Sequence, residues 1–186
     1  MSRPRNFSTR AVVDTAVQTF WIGGLTGTSV DDLLRATGLS RSSLYNSFGN
    51  RERLLAEAVE RYTDQQISAL RQCFAQASWQ EAVTALLHDA ATRNHDGRGC
   101  LLVNAIGELH ESGSVNVDVV RAAFARLAAA LEACLREATS PAVDAAQICA
   151  ALMASIAGLR TLQRAGLPLL QRQQAAARLA QALTAP

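Results

Sequence analysis

The chain has 186 residues, enough for one large domain or two small ones. Hydrophobic residues make up 49% and charged residues 18%, which excludes wholesale disorder, and 4 Pro with 11 Gly exclude collagen-like or linker-rich chains. All 18 basic residues are Arg and the net charge is only +2, but residues 1–55 hold 7 Arg against 4 acids while residues 56–186 hold 11 against 12. A basic first third on a neutral remainder points to an anionic partner for that third.

Of 35 Ala, 32 lie after residue 50. Ala is the strongest helix former, so the composition predicts an all-α fold. The longest near-apolar run, residues 148–159, is short of a bilayer crossing, and no membrane partner is expected. The first residues carry charge with no apolar stretch behind them, so no secretory signal is expected. Cys73, Cys100, Cys134 and Cys149 are too widely spaced for a metal pair, which suits a cytoplasmic protein with reduced thiols.

In chain order, residues 8–21 predict a first helix: Val12, Val13, Ala16, Val17 and Phe20 recur at helical spacing behind a Ser8 or Thr9 cap. Gly23-Gly24 ends it. A second helix runs over 30–37, capped by Ser29 with Asp32 three residues on, a weak capping box, and stopped at Gly38. The third, residues 41–48, is capped by Ser40 and turns Leu44 and Phe48 inward. Its other side chains are Arg41, Ser42, Ser43, Tyr45, Asn46 and Ser47, a polar face without an acid. Two short helices joined through Gly38-Leu39-Ser40 outline a helix-turn-helix, whose second helix enters the DNA major groove. Exposed hydroxyls and an amide suit base edges and phosphates. Asn50 caps a long fourth helix, and Arg51 at its start suggests a phosphate site.

The stretch TSVDDLLRATGLSRSSLYNSFGNRERLL resembles the DNA-binding domain of the TetR family of transcriptional regulators. Phe20 and Gly24 close the first helix, Thr28-Ser29-Val30 opens the second, Gly38-Leu39-Ser40 makes the turn, and Arg51 stands where the family usually has Lys. The resemblance covers about 50 residues; the segments GRGCLLVNAIGEL and GLRTLQRAG are looser matches. It implies that Ser29 binds phosphate, that Arg41, Ser42 and Ser43 probe bases or nearby phosphates, and that Tyr45 donates to a phosphate. It further implies that Asn46 and Ser47 line the groove and that Arg51 clamps a phosphate, with Arg3 and Arg5 available to an N-terminal arm.

Residues 56–186 predict a helical bundle with breaks at 94–99, 111–113 and 166–168, giving about nine helices in all. The expected organisation is a DNA-binding domain over 1–52 and a ligand-binding and dimerisation domain over 53–186. Ser140-Pro141 is expected to open the eighth helix. Along it, Ile148, Leu152, Ser155, Leu159 and Leu162 step by four and three like a coiled-coil seam, and Ala176, Leu179 and Leu183 share a side of the last helix. In the resembled family the last two long helices pair with those of a second subunit, so these eight residues are the expected interface of a two-fold homodimer. Packing inside one subunit is the alternative.

Cys100 follows Gly99 at a helix start beside Arg98, features that favour a reactive thiolate, and it is a candidate sensor. His88, His95 and His110 with Asp89, Asp96 and Glu108 match no metal-ligand spacing, and no metal or cofactor is expected. No catalytic triad, phosphate loop or nucleotide fingerprint is visible, so no enzyme activity is expected. The reading is a repressor that binds double-stranded operator DNA and is released by a small-molecule inducer. Its alternatives are an electrophile- or oxidant-responsive repressor acting through Cys100 and a non-specific architectural DNA-binding protein.

Overall fold

The computed structural model describes residues 8–93, 98–109 and 116–185. Among them the chain is all-α, with nine helices: α1 (Thr9–Gly23), α2 (Val30–Thr37), α3 (Arg41–Phe48), α4 (Arg51–Gln76), α5 (Trp79–Thr92), α6 (Leu101–Leu109), α7 (Asn116–Ala138), α8 (Ala145–Arg164) and α9 (Leu169–Thr184). Arg3, Arg5, His95, Asp96 and His110 lie outside the described residues.

The first three helices are too short to close a core alone. Their apolar faces (Val12, Val13, Val17 and Phe20 of α1, Leu33 of α2, Leu44 and Phe48 of α3) meet Leu54, Leu55, Ala58 and Val59 of α4. Leu101, Leu102 and Ala105 of α6 and Val120 and Ala123 of α7 complete the same cluster, so the head is packed continuously onto the body. A second cluster joins α4, α5, α7, α8 and α9 through Leu70, Val83, Leu87, Leu131, Leu135, Leu152, Leu159, Ala176 and Ala180. Half-buried Leu127 packs against both clusters.

A polar knot fixes the C-terminal end of α5. The last carbonyls of α5 have no intrahelical partner. Buried Arg172 donates to Ala91 O (2.7 Å), while buried Arg160 donates to Arg93 O (3.0 Å) and to the Asp89 carboxylate (3.0 Å). Gln163 Nε2 also donates to Arg93 O at 2.7 Å. Two guanidinium groups from α8 and α9 therefore sit at the negative end of the α5 dipole, where cations are favoured.

The start of α8 differs from the sequence expectation. Ser140-Pro141 forms a turn closed by Val143 N–H on Ser140 O (3.0 Å), and the helix begins at Ala145. The reason is the better cap: the Asp144 carboxylate accepts from Gln147 N at 3.0 Å, and Ala145 is the first residue of the helix to be buried. α8 is long and apolar enough to cross a membrane by length and composition, although 28% of the relevant window is buried inside the protein. Its large residues face α5, α7 and α9, and its exposed side is mostly small.

That division also revises the expected dimer seam. Leu152, Leu159 and Ala176 are buried within the single chain, and Ile148, Leu179 and Leu183 pack half-buried on the same cluster. Ser155 is half-buried with its hydroxyl donated back to Ala151 O (2.8 Å), and only Leu162 is plainly exposed, at 42%. The four-three spacing marks the face that fills the subunit's own core. The outward stripe is offset from it: Ala150, Ala154, Gly158 and Leu162 are exposed at four-residue steps.

Candidate nucleic-acid interface

Each helix of the head is capped by the residue the sequence offers for it. Ser29 Oγ accepts from Asp32 N (3.1 Å), and the Asp32 carboxylate accepts from both Ser29 N (3.0 Å) and Ser29 Oγ (2.6 Å), a complete capping box. Gly38 then takes φ +70° and ψ 11°, with its N–H on Leu34 O at 2.9 Å. That left-handed conformation suits Gly, and it lets the chain reverse into α3 within three residues. Ser40 caps α3 by accepting from Ser43 N (3.2 Å). Asn50 Oδ1 caps α4 by accepting from Arg53 N (2.8 Å).

With Leu44 fully buried and Phe48 nearly so, the remaining α3 side chains point outward. Arg41, Ser42, Tyr45 and Asn46 are exposed, Ser43 and Ser47 are half-buried, and Ser29 is exposed at the start of α2. The hydroxyls of Ser42 and Ser43 lie 3.0 and 2.8 Å from that of Ser40, a three-hydroxyl cluster over the first turn of α3. The arrangement offers donors and acceptors on a convex helix with free N–H groups at its start, a surface for a phosphate-flanked groove.

Two residues depart from the role the resemblance implies. Arg51 does not reach outward. Its side chain is only 16% exposed, with Nε donating to Thr28 O at 2.7 Å and Nη2 donating to Leu25 O. The guanidinium also lies over the Phe20 ring, 5.4 Å from the centroid. It fastens the loop between α1 and α2 to the start of α4. Arg41 is exposed but already paired, with Nη2 2.5 Å from the Asp31 carboxylate of α2.

Sequence reasoning missed the contacts that tie head to body. Glu108 of α6 accepts from Leu25 N (2.6 Å) and Thr26 N (3.1 Å), two amides of the α1–α2 loop. Trp21 Nε1 of α1 donates to Arg98 O (3.3 Å), and Asn104 Nδ2 donates to the same carbonyl at 2.7 Å. Arg98 lies over the Trp21 ring and donates to Gln18 of α1 at 3.0 Å. The only cue in the sequence was a lone acid in an apolar α6, which spacing alone could not pair with amides more than eighty residues away.

Cys100 sits just before α6, half-buried, and its carbonyl accepts from Asn104 N (2.9 Å). Tyr62 Oη donates to its sulfur at 3.3 Å, and the Tyr62 ring meets Trp21 edge-on, with centroids 5.3 Å apart. Burial, with the neighbouring Cys100 second, pushes the Tyr62 hydroxyl well above its ordinary pKa, so it stays a donor. Burial likewise raises the thiols of Cys73, Cys134 and Cys149. Among the described residues no group of three or more His, Cys, Asp or Glu is placed to hold a metal ion.

Capped short helices at a glycine turn, with a polar outward second helix, define a helix-turn-helix head on a helical body. Residues 12–58 match the family model of bacterial regulatory proteins, tetR family. It is 29% identical over 109 residues to an uncharacterised HTH-type transcriptional regulator, YezE, of Bacillus subtilis, covering 56% of each chain. It is 40% identical over 62 residues to the HTH-type transcriptional repressor ComR of Escherichia coli, covering 33% of this chain and 30% of that protein. The matched stretches thus span about half and a third of those relatives. A solved cysteine mutant of the TetR family transcriptional regulator CifR, complexed with 26-base-pair operator DNA, superposes with a TM-score of 0.80. It is 25% identical and covers 99% of this chain and 100% of its own.

Proposed function

We propose that this chain is a transcriptional repressor that binds double-stranded operator DNA as a homodimer and is released by a small-molecule inducer. The observation that carries this reading is the outward face of α3, where Arg41, Ser42, Tyr45 and Asn46 stand exposed on a helix locked from behind by Leu44 and Phe48. The first amides of α2 supply the adjoining phosphate contact, while the N–H and hydroxyl of Ser29 are held by the Asp32 carboxylate. Ser43 and Ser47 sit at the margin of the face.

Two heads in a two-fold dimer require a near-palindromic operator with half-sites about 34 Å apart or a multiple of it. The outward stripe Ala150, Ala154, Gly158 and Leu162 is the surface on which a second α8 can approach closely. Occupied DNA blocks polymerase. An inducer acts only if it prefers a head position that does not fit both half-sites. A cleft of about 580 Å3 lined by Thr26, Val103, Asn104, Gly107, Glu108 and Arg164 touches the α6 tie to the head, so a ligand there gains leverage on head position.

Selection of the protein on a random-sequence duplex library tests the reading. A palindromic consensus that resists competitor DNA is expected; enrichment of no sequence overturns it.

The Tyr62–Cys100 contact favours one second reading, release through the Cys100 thiol. A group added to this sulfur displaces Tyr62, which packs on Trp21 of the head. Alkylation is then expected to weaken DNA binding in the wild type and not in Cys100→Ser; equal responses remove the idea.

A further inference from the structure

Arg41 is the only cation on α3, and it does not stand alone: the Asp31 carboxylate of α2 holds its Nη2 at 2.5 Å, across the turn between the two helices. The second acid of α2, Asp32, is occupied elsewhere, by the Ser29 cap and by Arg35 Nη1 at 2.9 Å. Both partners of the Asp31–Arg41 pair are more than half exposed, at 69% and 56% of their side-chain surface. An exposed pair of this kind adds little to the stability of the fold. A carboxylate on a surface that must approach phosphates also weakens attraction to any DNA. Asp31 lies in the first turn of α2, where the helix dipole favours an acid, but that gain does not require the pairing with Arg41.

What the pair does change is the direction of the guanidinium. A free Arg at the start of a recognition helix can swing to the nearest phosphate, a contact that carries no sequence information. With one edge tied to Asp31, the fork is held back from the backbone and its remaining donors are left to meet a base edge. Guanine, with O6 and N7 as paired acceptors in the major groove, is the base that matches them. As the duplex docks and water leaves, the pair strengthens, because a charge pair in lower dielectric is attracted more strongly.

We infer that Asp31 is a specificity-determining positioning residue, which holds Arg41 for guanine readout and penalises its use as a general phosphate contact. The inference rests on the DNA-reading function proposed above.

The test is selection on a random-sequence duplex library with wild type, Asp31→Asn, Asp31→Glu and Arg41→Gln. Binding is then measured on the wild-type consensus duplex and on a scrambled duplex across a salt series. For Asp31→Asn, discrimination between the two duplexes is expected to fall roughly tenfold, with the loss confined to one guanine in each half-site. Scrambled DNA is bound more tightly, with a salt slope steeper by about one. Asp31→Glu keeps the preference. In the Arg41→Gln background, Asp31→Asn leaves the consensus unchanged, because the residue it positions is gone. A merely structural Asp31 would shift the melting temperature and leave the relative preferences alone. If Asp31→Asn selects the wild-type consensus with undiminished discrimination, the inference is overturned while the DNA-reading function stands. If the wild type enriches no sequence, both fall.

Discussion

Arg51 separates two accounts of the head, because the family resemblance assigns it to a phosphate and the structure places it inside. Its guanidinium joins the carbonyls of Leu25 and Thr28 to the start of α4 and covers Phe20, with 16% of the side chain exposed. A hydrogen bond to a charged group contributes about 1.5–3 kcal/mol, and a partly exposed cation–π contact about 0.5–1 kcal/mol. These contributions share one side chain and do not add, so Arg51→Ala is expected to cost about 3 kcal/mol, including two carbonyls left without their donor. For a chain of this size each kcal/mol lowers the melting temperature by about 2–4 °C, so the midpoint falls by about 6–12 °C. Arg51→Lys carries one charge but no fork, cannot span both carbonyls, and falls between. Calorimetry gives the midpoints, and anisotropy on the selected duplex below the variant's melting temperature gives the affinity. A wild-type midpoint with DNA binding lost would refute the structural role and restore the phosphate clamp.

Three further outcomes follow from contacts at the head, the caps and the outer stripe. Glu108→Ala removes the acceptor for Leu25 and Thr26 amides and, at a partly exposed site, is expected to cost about 1–2 kcal/mol. Amide exchange at Leu25 and Thr26 reads it, and unchanged protection there counts against the tie. Asp32 and Glu81 are held below the ordinary carboxylate range, first by the hydroxyls and then by the backbone N–H groups of Ser29 and Ser78. A depressed folded pKa gives stability that is present above the unfolded value and lost as pH falls through the folded one. The stability gap between wild type and Glu81→Gln is therefore expected to be open at pH 7 and to close below about pH 4 in urea titrations; a gap independent of pH contradicts the cap's charge. Ala154→Arg, on the exposed face of α8, is expected to yield monomers by light scattering with an unchanged far-ultraviolet spectrum, and a persistent dimer moves the interface elsewhere.

The head was legible because local rules decide it. Ser29, Gly38, Ser40 and Asn50 act on amides or carbonyls within four residues, so their roles can be read from neighbours in the chain. The boundaries of α2 and α3 follow from them to the residue. The body was legible as helices but not as faces. Leu152 and Leu159 have the spacing of a seam, and spacing does not say whether the partner is α5 and α7 of the same chain or α8 of another. At Ser140-Pro141 two starts were possible, and the carboxylate of Asp144 outcompeted the proline. Arg51 and Glu108 act on residues 23 to 83 positions away, beyond any periodic pattern. Nothing local distinguishes an arginine that will fold inward onto carbonyls from one that will reach a phosphate.

The distribution of charge bears on whether the head binds DNA specifically or merely coats it. A non-specific binder draws its affinity from Lys and Arg that neutralise phosphates, and its affinity falls steeply with salt. The +3 of residues 1–55 suggested such a reservoir. Within the described head, however, Arg35 is paired with Asp32, Arg41 with Asp31, and Arg51 with two carbonyls and the nearby Glu52 at 3.7 Å. The acids of these pairs are already counted in the +3, so pairing leaves that net charge unchanged, with Arg10 and Arg53 exposed on the described head. The outward face of α3 itself carries hydroxyls, an amide, a phenol and one restrained guanidinium, groups that contribute through direction more than through charge. Such a face binds any single phosphate weakly and gains affinity from matching several groups at once, in two heads together. Strong sequence discrimination is the expected signature; a slope near the ten-phosphate regime with no discrimination would instead mark an architectural coat.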